Sequence, residues 1–261
     1  MKKQVLVAGG GIGGLAAALG ASRAGWEVRL YERAAAFSEV GAGVQIGPNV
    51  VRRLQAWGLQ QRLQAVAAFP TQLQVRCALS GRELAVLPLG AQAVQRYGAA
   101  YATIHRADLQ ALLLAAVQES AEVQLNLGLS IDGYTQGDGV VLVRTSAGKE
   151  VEGDALIGAD GLWSRTRTQL LADGPPRVTG HLAYRALARQ GVGDASGGQH
   201  VGEAGLHLGV GALHGFHDPG VDAEILAAHR PAAGLVAVQL AQTEDVLGHL
   251  AGAGALVNHR L

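Results

Sequence analysis

The chain has 261 residues, enough to bury a sizeable core in one large domain or two modest ones. Its 21 basic and 21 acidic side chains cancel, which removes any electrostatic argument for nucleic acid or an anionic membrane surface as a partner. The single cysteine, Cys77, excludes an internal disulfide and suits a reducing cytoplasm, and no apolar run is long enough to predict a membrane span.

Two lysines followed by an apolar stretch give the N-terminus a superficial likeness to a signal peptide. The glycines inside that stretch would break the apolar helix a signal needs, and the following residues continue a different pattern. Residues 4–8 read as a short apolar strand, residues 12–24 as a helix of small residues, and residues 26–32, WEVRLYE, as a second strand. Strand, helix and strand within about 30 residues make one βαβ unit of a parallel sheet. At the first strand's end Gly9, Gly11 and Gly14 fit G-x-G-x-x-G, with Ile12 and Gly13 inside the motif. The first glycine permits a tight turn, the second lets backbone approach a pyrophosphate, and the third lets helix pack on strand. Free N–H groups at the helix start then face the diphosphate. Glu32 follows at the end of the second strand, where a carboxylate accepts bonds from an adenosine ribose and disfavours a 2′-phosphate. The expected cofactor at this turn is therefore FAD or NAD.

Downstream, residues 48–59 carry helical apolar spacing closed by Gly58, and residues 105–120 form a second amphipathic helix with Asp108 near its positive end. The runs VQLNL, LSIDGY, GVVLVRT and KEVEG, with glycines at their turns, predict a small antiparallel sheet at about 122–152. DALIGADG, 154–161, returns to a buried strand ending in glycine. Beyond about residue 189 the composition changes, with eight of the nine histidines after residue 180 and little clean alternation. His207, His214 and His217 lack a regular helix to present them, so no metal site is expected.

The segments EVGAGVQIGPNVVRRL (39–54), IHRADLQALL (104–113) and DALIGADGLWSRTR (154–167) together resemble the group A flavoprotein aromatic hydroxylases, the family of para-hydroxybenzoate hydroxylase and salicylate hydroxylase. The resemblance covers roughly residues 4–189. It implies an α/β fold: a Rossmann-like, glutathione-reductase-type FAD-binding domain over residues 1–180 with an inserted antiparallel sheet. Residues 181–261 would then be a remnant of an incomplete substrate domain, or an aberrant and poorly ordered tail. It further implies that Gly9 to Gly14 cradle the FAD diphosphate and that Glu32 with Arg33 holds the adenosine ribose. Gln45 would lie near the isoalloxazine, Arg106 would contact FAD, and Asp160-Gly161, with Ser164 and Arg167, would form the second fingerprint toward FAD and NAD(P)H. Tyr184 and Arg185 resemble the pair that opens the substrate-domain sheet.

The family's reaction is hydroxylation of a small aromatic substrate with NAD(P)H and O2 through a C4a-hydroperoxyflavin, the flavin supplying the difficult chemistry. The family's third motif, Gly-Asp-Ala-Ala-His-Pro, is not matched: Gly193-Asp194-Ala195 lacks a preceding buried strand and a following His-Pro. The expectation is thus a chain truncated or altered after about residue 189. Two rivals follow, a catalytically inactive protein that binds FAD or an adenine nucleotide, and an NAD-dependent dehydrogenase that never held flavin.

Overall fold

The computed structural model describes residues 2–37, 43–77, 82–177, 182–189, 235–242 and 255–260. The first half of the chain runs β1 (Gln4–Ala8), α1 (Ile12–Arg23), β2 (Glu27–Glu32), β3 (Gly43–Ile46), α2 (Pro48–Ala56), α3 (Gln60–Val66) and β4 (Ala67–Ala68). It continues with β5 (Gln72–Cys77), β6 (Glu83–Pro88), α4 (Gly90–Tyr97), β7 (Ala102–His105) and α5 (Arg106–Gln118). The remainder is β8 (Val123–Leu127), β9 (Ile131–Gly137), β10 (Val140–Thr145), β11 (Glu150–Gly153), β12 (Ala155–Gly158), α6 (Arg165–Leu171), β13 (Leu182–Arg189), β14 (Leu235–Gln242) and β15 (Ala255–Arg260). These elements fall into two compact units, Met1–Glu39 with Leu109–Val178, and Val40–Asp108 with Thr179–Leu261.

The first unit is built on a parallel sheet of order β12-β1-β2-β8. Val5, Leu6, Val7 and Ala8 are all buried, so β1 is covered on both faces and reads as an unbroken apolar run. Leu6 and Ala8 project to the face where Tyr31, Ile131, Val143 and Val151 close a core with the antiparallel sheet β11-β10-β9. That sheet lies close: a Cβ added at Gly153 would sit 2.8 Å from Leu6 Cγ. Helix α1 buries Gly14, Leu15, Ala18 and Leu19, small residues that let it pack tightly on the strands. From Leu109 onward, α5 buries Leu109, Leu112, Leu113, Ala116 and Val117, a stripe at helical spacing.

The α/β class, the parallel βαβ start and the separate antiparallel sheet agree with the sequence reading. One strand does not. VQLNL, expected in the antiparallel sheet, is β8, and it pairs parallel to β2 with Val28 opposite Val123. The cause is connection geometry: α5 precedes it, and a helix crossover returns the chain parallel, whereas antiparallel pairing needs a short hairpin. Helix α6, not foreseen in the sequence, lies along β9, where the Gln169 amide bonds the edge-strand backbone. Its Nε2 donates to Tyr134 O at 2.5 Å and its Oε1 accepts from Tyr134 N at 3.1 Å.

In the second unit β3 and β4 flank β7 in an antiparallel sheet, with Gln45 opposite Thr103 and Gly43 opposite His105. Pro48 occupies the first helical position of α2, where its missing N–H costs nothing, and Gly58 at φ +73° follows the helix end as expected. α2 packs on α4, which stops at Gly98 in the left-handed region. β5 and β6 pair antiparallel, with β15 on the other side of β5, and β13 pairs antiparallel with β14. Tyr184 and Arg185 lie on β13. Gly193-Asp194-Ala195 and His207, His214 and His217 lie outside the described residues. Among the described residues no helix is long and apolar enough to cross a membrane.

Candidate functional site

The glycine turn after β1 is fixed by steric contact at two positions. Gly9 adopts φ +97°, a conformation L side chains rarely reach, and an added Cβ would lie 2.4 Å from Ala159 O. At Gly14 the added Cβ would lie 1.8 Å from Gly9 O, so any side chain there pushes α1 off the strand. Gly11 and Gly13 differ, since nothing lies within 4 Å of a Cβ at either. Gly11 is the N-cap of α1 and makes no side-chain cap bond, and Ile12 begins the helix. Backbone N–H groups at a helix start with open space before them are the donors a diphosphate requires. The cradle therefore fits a nucleotide diphosphate on geometry alone.

Glu32 ends β2 beside this turn. Its Oε2 accepts from Gly10 N at 2.7 Å and its Oε1 from Ala34 N at 2.8 Å. A carboxylate has about four acceptor positions, so two backbone bonds leave capacity for vicinal ribose hydroxyls. Gly10 was not singled out in the sequence, yet a Cβ there would meet Phe37 Cε1 at 2.7 Å and Glu32 Cβ at 3.0 Å. Gln110 was also missed; it is buried, and its Nε2 reaches Gly10 O at 3.5 Å from the start of the α5 stripe. The one available signal was a polar residue inside an apolar helical stripe. Arg33 is exposed, one residue beyond Glu32. Tyr31, whose carbonyl accepts from Gly9 N at 2.8 Å, is packed in the core, and burial raises its phenol pKa.

Asp160 and Gly161 lie just past β12, the strand paired with β1. Asp160 Oδ1 accepts from Ser164 Oγ at 2.5 Å, while Oδ2 accepts from Thr166 N at 3.1 Å and Thr166 Oγ1 at 3.2 Å. Ser164 in turn caps α6, its Oγ accepting from Arg167 N at 2.9 Å. The carboxylate thus organises the α6 turn. Gly161 at φ +83° has open space around it, which leaves its backbone accessible. Trp163, in the same turn, is exposed.

The structure brings Gly9, Gly11, Ile12, Gly13, Gly14, Glu32, Arg33, Asp160 and Gly161 into the first unit, with Gly9 touching Ala159 and Asp160. The other two predicted residues belong to the second unit. Gln45 is exposed on β3, and Arg106 follows directly on β7 as the first residue of α5.

The model of the FAD binding domain family matches residues 2–189. Among curated proteins, a 6-hydroxynicotinate 3-monooxygenase of Bordetella bronchiseptica is 42% identical over 186 residues, covering 71% of this chain and 48% of that protein. A 3-hydroxybenzoate 6-hydroxylase of Polaromonas naphthalenivorans is 40% identical over 183 residues, covering 70% of this chain and 46% of its own length. The chain thus spans about half the length of the curated relatives it matches. Among solved structures, Klebsiella pneumoniae HpxO complexed with FAD and uric acid superposes with a TM-score of 0.69 at 24% identity, covering 92% of this chain and 56% of that one. The chain belongs to the FAD binding domain family of flavin-dependent aromatic monooxygenases.

Proposed function

We propose that the chain is the nucleotide-holding part of an FAD-dependent monooxygenase that hydroxylates a small aromatic ring with NAD(P)H and O2. The observation that carries the reading is the Gly9–Gly14 turn, open at Gly11 and closed at Gly14, with the Glu32 carboxylate bonded to Gly10 beside it. In this reading the α1 N–H groups hold the diphosphate and Glu32 accepts the adenosine ribose hydroxyls, with Arg33 at the edge. Gln45 would lie near the flavin ring and Arg106 would contact FAD, while Asp160, whose carboxylate holds its own turn, and Gly161 would also contact the cofactor. Bound and reduced FAD supplies the activation of O2, and the protein supplies position and exclusion of water.

The domain reading is proposed in the same sense, with residues 1–180 forming the FAD-binding domain and residues 181–261 a remnant of a substrate domain or an aberrant tail. The two curated relatives named above are named for rings bearing both hydroxyl and carboxylate groups, so a hydroxylated aromatic acid is the proposed substrate class. A cytoplasmic setting fits the lone cysteine and the nucleotide reductant. Family membership favours this reading over an NAD-dependent dehydrogenase, and the relatives' activities favour it over binding alone.

The test is the visible spectrum of the purified 261-residue chain with and without added FAD, followed by NAD(P)H consumption over hydroxybenzoates and hydroxynicotinates. Retained flavin and ring-dependent nucleotide oxidation are expected. Flavin retention without any substrate-stimulated oxidation would confine the chain to binding, and absence of flavin would overturn the reading.

A further inference from the structure

The charge balance of the whole chain conceals a strong local excess. Residues 40–108 contain seven arginines, Arg52, Arg53, Arg62, Arg76, Arg82, Arg96 and Arg106, against two acids, Glu83 and Asp108. Two of these arginines line one cleft of about 510 Å³, whose walls are Pro48, Asn49, Arg52, Arg96, Tyr97 and Gly98. Among the described residues no carboxylate lines it. It lies where α2 packs on α4, entirely within the second unit.

The cleft's cationic groups are held in place. Arg52 Nη1 donates to Tyr97 O at 3.2 Å, one of the terminal carbonyls of α4, where a cation is favoured. That bond uses one of five guanidinium N–H donors and leaves the rest for a ligand. The Arg96 guanidinium lies 5.5 Å from the centre of the Tyr97 ring, a cation–π contact that steadies both side chains. Tyr97 is nevertheless 51% exposed, so a ring face remains for stacking. Two oriented guanidinium groups and an aromatic face suit a ligand carrying phosphates and a planar base. The cleft also begins at Pro48, three residues after Gln45, the residue proposed above to lie near the flavin ring.

We propose that this cleft docks the pyridine-nucleotide reductant, Arg52 and Arg96 holding its diphosphate and Tyr97 stacking on one of its rings. The identity of the ligand rests on the monooxygenase reading; the anion preference rests on the cleft alone. Such a surface would give the reductant a site apart from the Gly9–Gly14 turn.

The experiment is calorimetric titration of the FAD-loaded 261-residue chain with NADPH and with NADH, repeated in excess inorganic pyrophosphate. Binding of at least one nucleotide, competed by pyrophosphate, is expected. It should weaken roughly tenfold in Arg96→Gln and further in the Arg52→Gln/Arg96→Gln pair, with Arg96→Lys in between. Both positions are exposed, and an unchanged far-UV spectrum and flavin content would separate lost binding from lost fold. Nucleotide binding that is equal in wild type and the double variant, or indifferent to pyrophosphate, overturns the proposal, as does failure of the wild type to bind either nucleotide. If the chain takes up no FAD, the monooxygenase reading fails by itself. The same titration on the flavin-free chain then decides the cleft: pyrophosphate-sensitive binding that is lost in the double variant sustains it, and any other result overturns it.

Discussion

Two turns sit side by side at the ends of paired strands, and they are built in different ways. The Gly9–Gly14 turn after β1 is shaped by exclusion, because carbonyl oxygens occupy the space where side chains at Gly9 and Gly14 would go. The Asp160–Gly161 turn after β12 is shaped by attraction, because three hydrogen bonds gather Ser164 and Thr166 around one carboxylate. Exclusion tolerates no substitution and attraction tolerates partial ones. The two also depend on each other, since the space denied to Gly9 is filled by Ala159 and Asp160.

The comparison can be broken most forcefully at Gly14. Gly14→Ala places a methyl 1.8 Å from Gly9 O, and the expected loss is about 3 kcal/mol or more in denaturant unfolding, together with retained flavin. A variant as stable as wild type would show that the turn is not set by exclusion. Asp160→Ala removes one acceptor from three donors and should cost about 2 kcal/mol, while Asp160→Asn keeps part of the set and should cost less. Equal losses for the two would mean that charge, not bonding geometry, holds the second turn.

Glu32→Ala strips the acceptor from Gly10 N and Ala34 N, with about 1 kcal/mol of stability lost and FAD affinity lowered roughly tenfold in a flavin titration. Unaltered affinity would remove Glu32 from the proposed ribose contact. Gln169→Ala frees the Tyr134 backbone on edge strand β9 and should cost about 1 kcal/mol, seen as faster amide exchange at β9 and α6. Exchange that stays unchanged would leave α6 held by other contacts. The smallest effect belongs to Gly13→Ala, within about 0.5 kcal/mol of wild type or slightly stabilising, because the site is open and helical. A loss there comparable to Gly14→Ala would erase the distinction between the two glycines.

The βαβ start was legible because its signals are local. Four buried residues in succession, a glycine turn and an acid at the next strand's end all lie within Val5 to Glu32. The α2 stop at Gly58 and the α5 stripe were legible for the same reason, through spacing and a terminating glycine. Other features depend on residues far apart in the chain. Nothing within VQLNL tells a parallel edge strand from an antiparallel one, and the crossover through α5 decided it. The contact between the two turns sets Gly9 against Ala159, about 150 positions away in the chain.

Asp160 shows the division within a single residue. Its place at a strand end was readable from DALIGADG, but its bonds to Ser164 and Thr166 follow from how α6 folds back. The cleft at Arg52 and Arg96 was hidden in the same way. A net charge of zero averaged it away, and only the packing of α2 on α4 brought residues 44 positions apart to one opening. The sequence by itself determined the class of fold, the glycine turn and the family, because periodicity and glycine placement act over a few residues. The tertiary structure decided which glycines are indispensable, what each carboxylate holds and where the positive charge collects, because steric exclusion and hydrogen bonding act between atoms that only folding brings together.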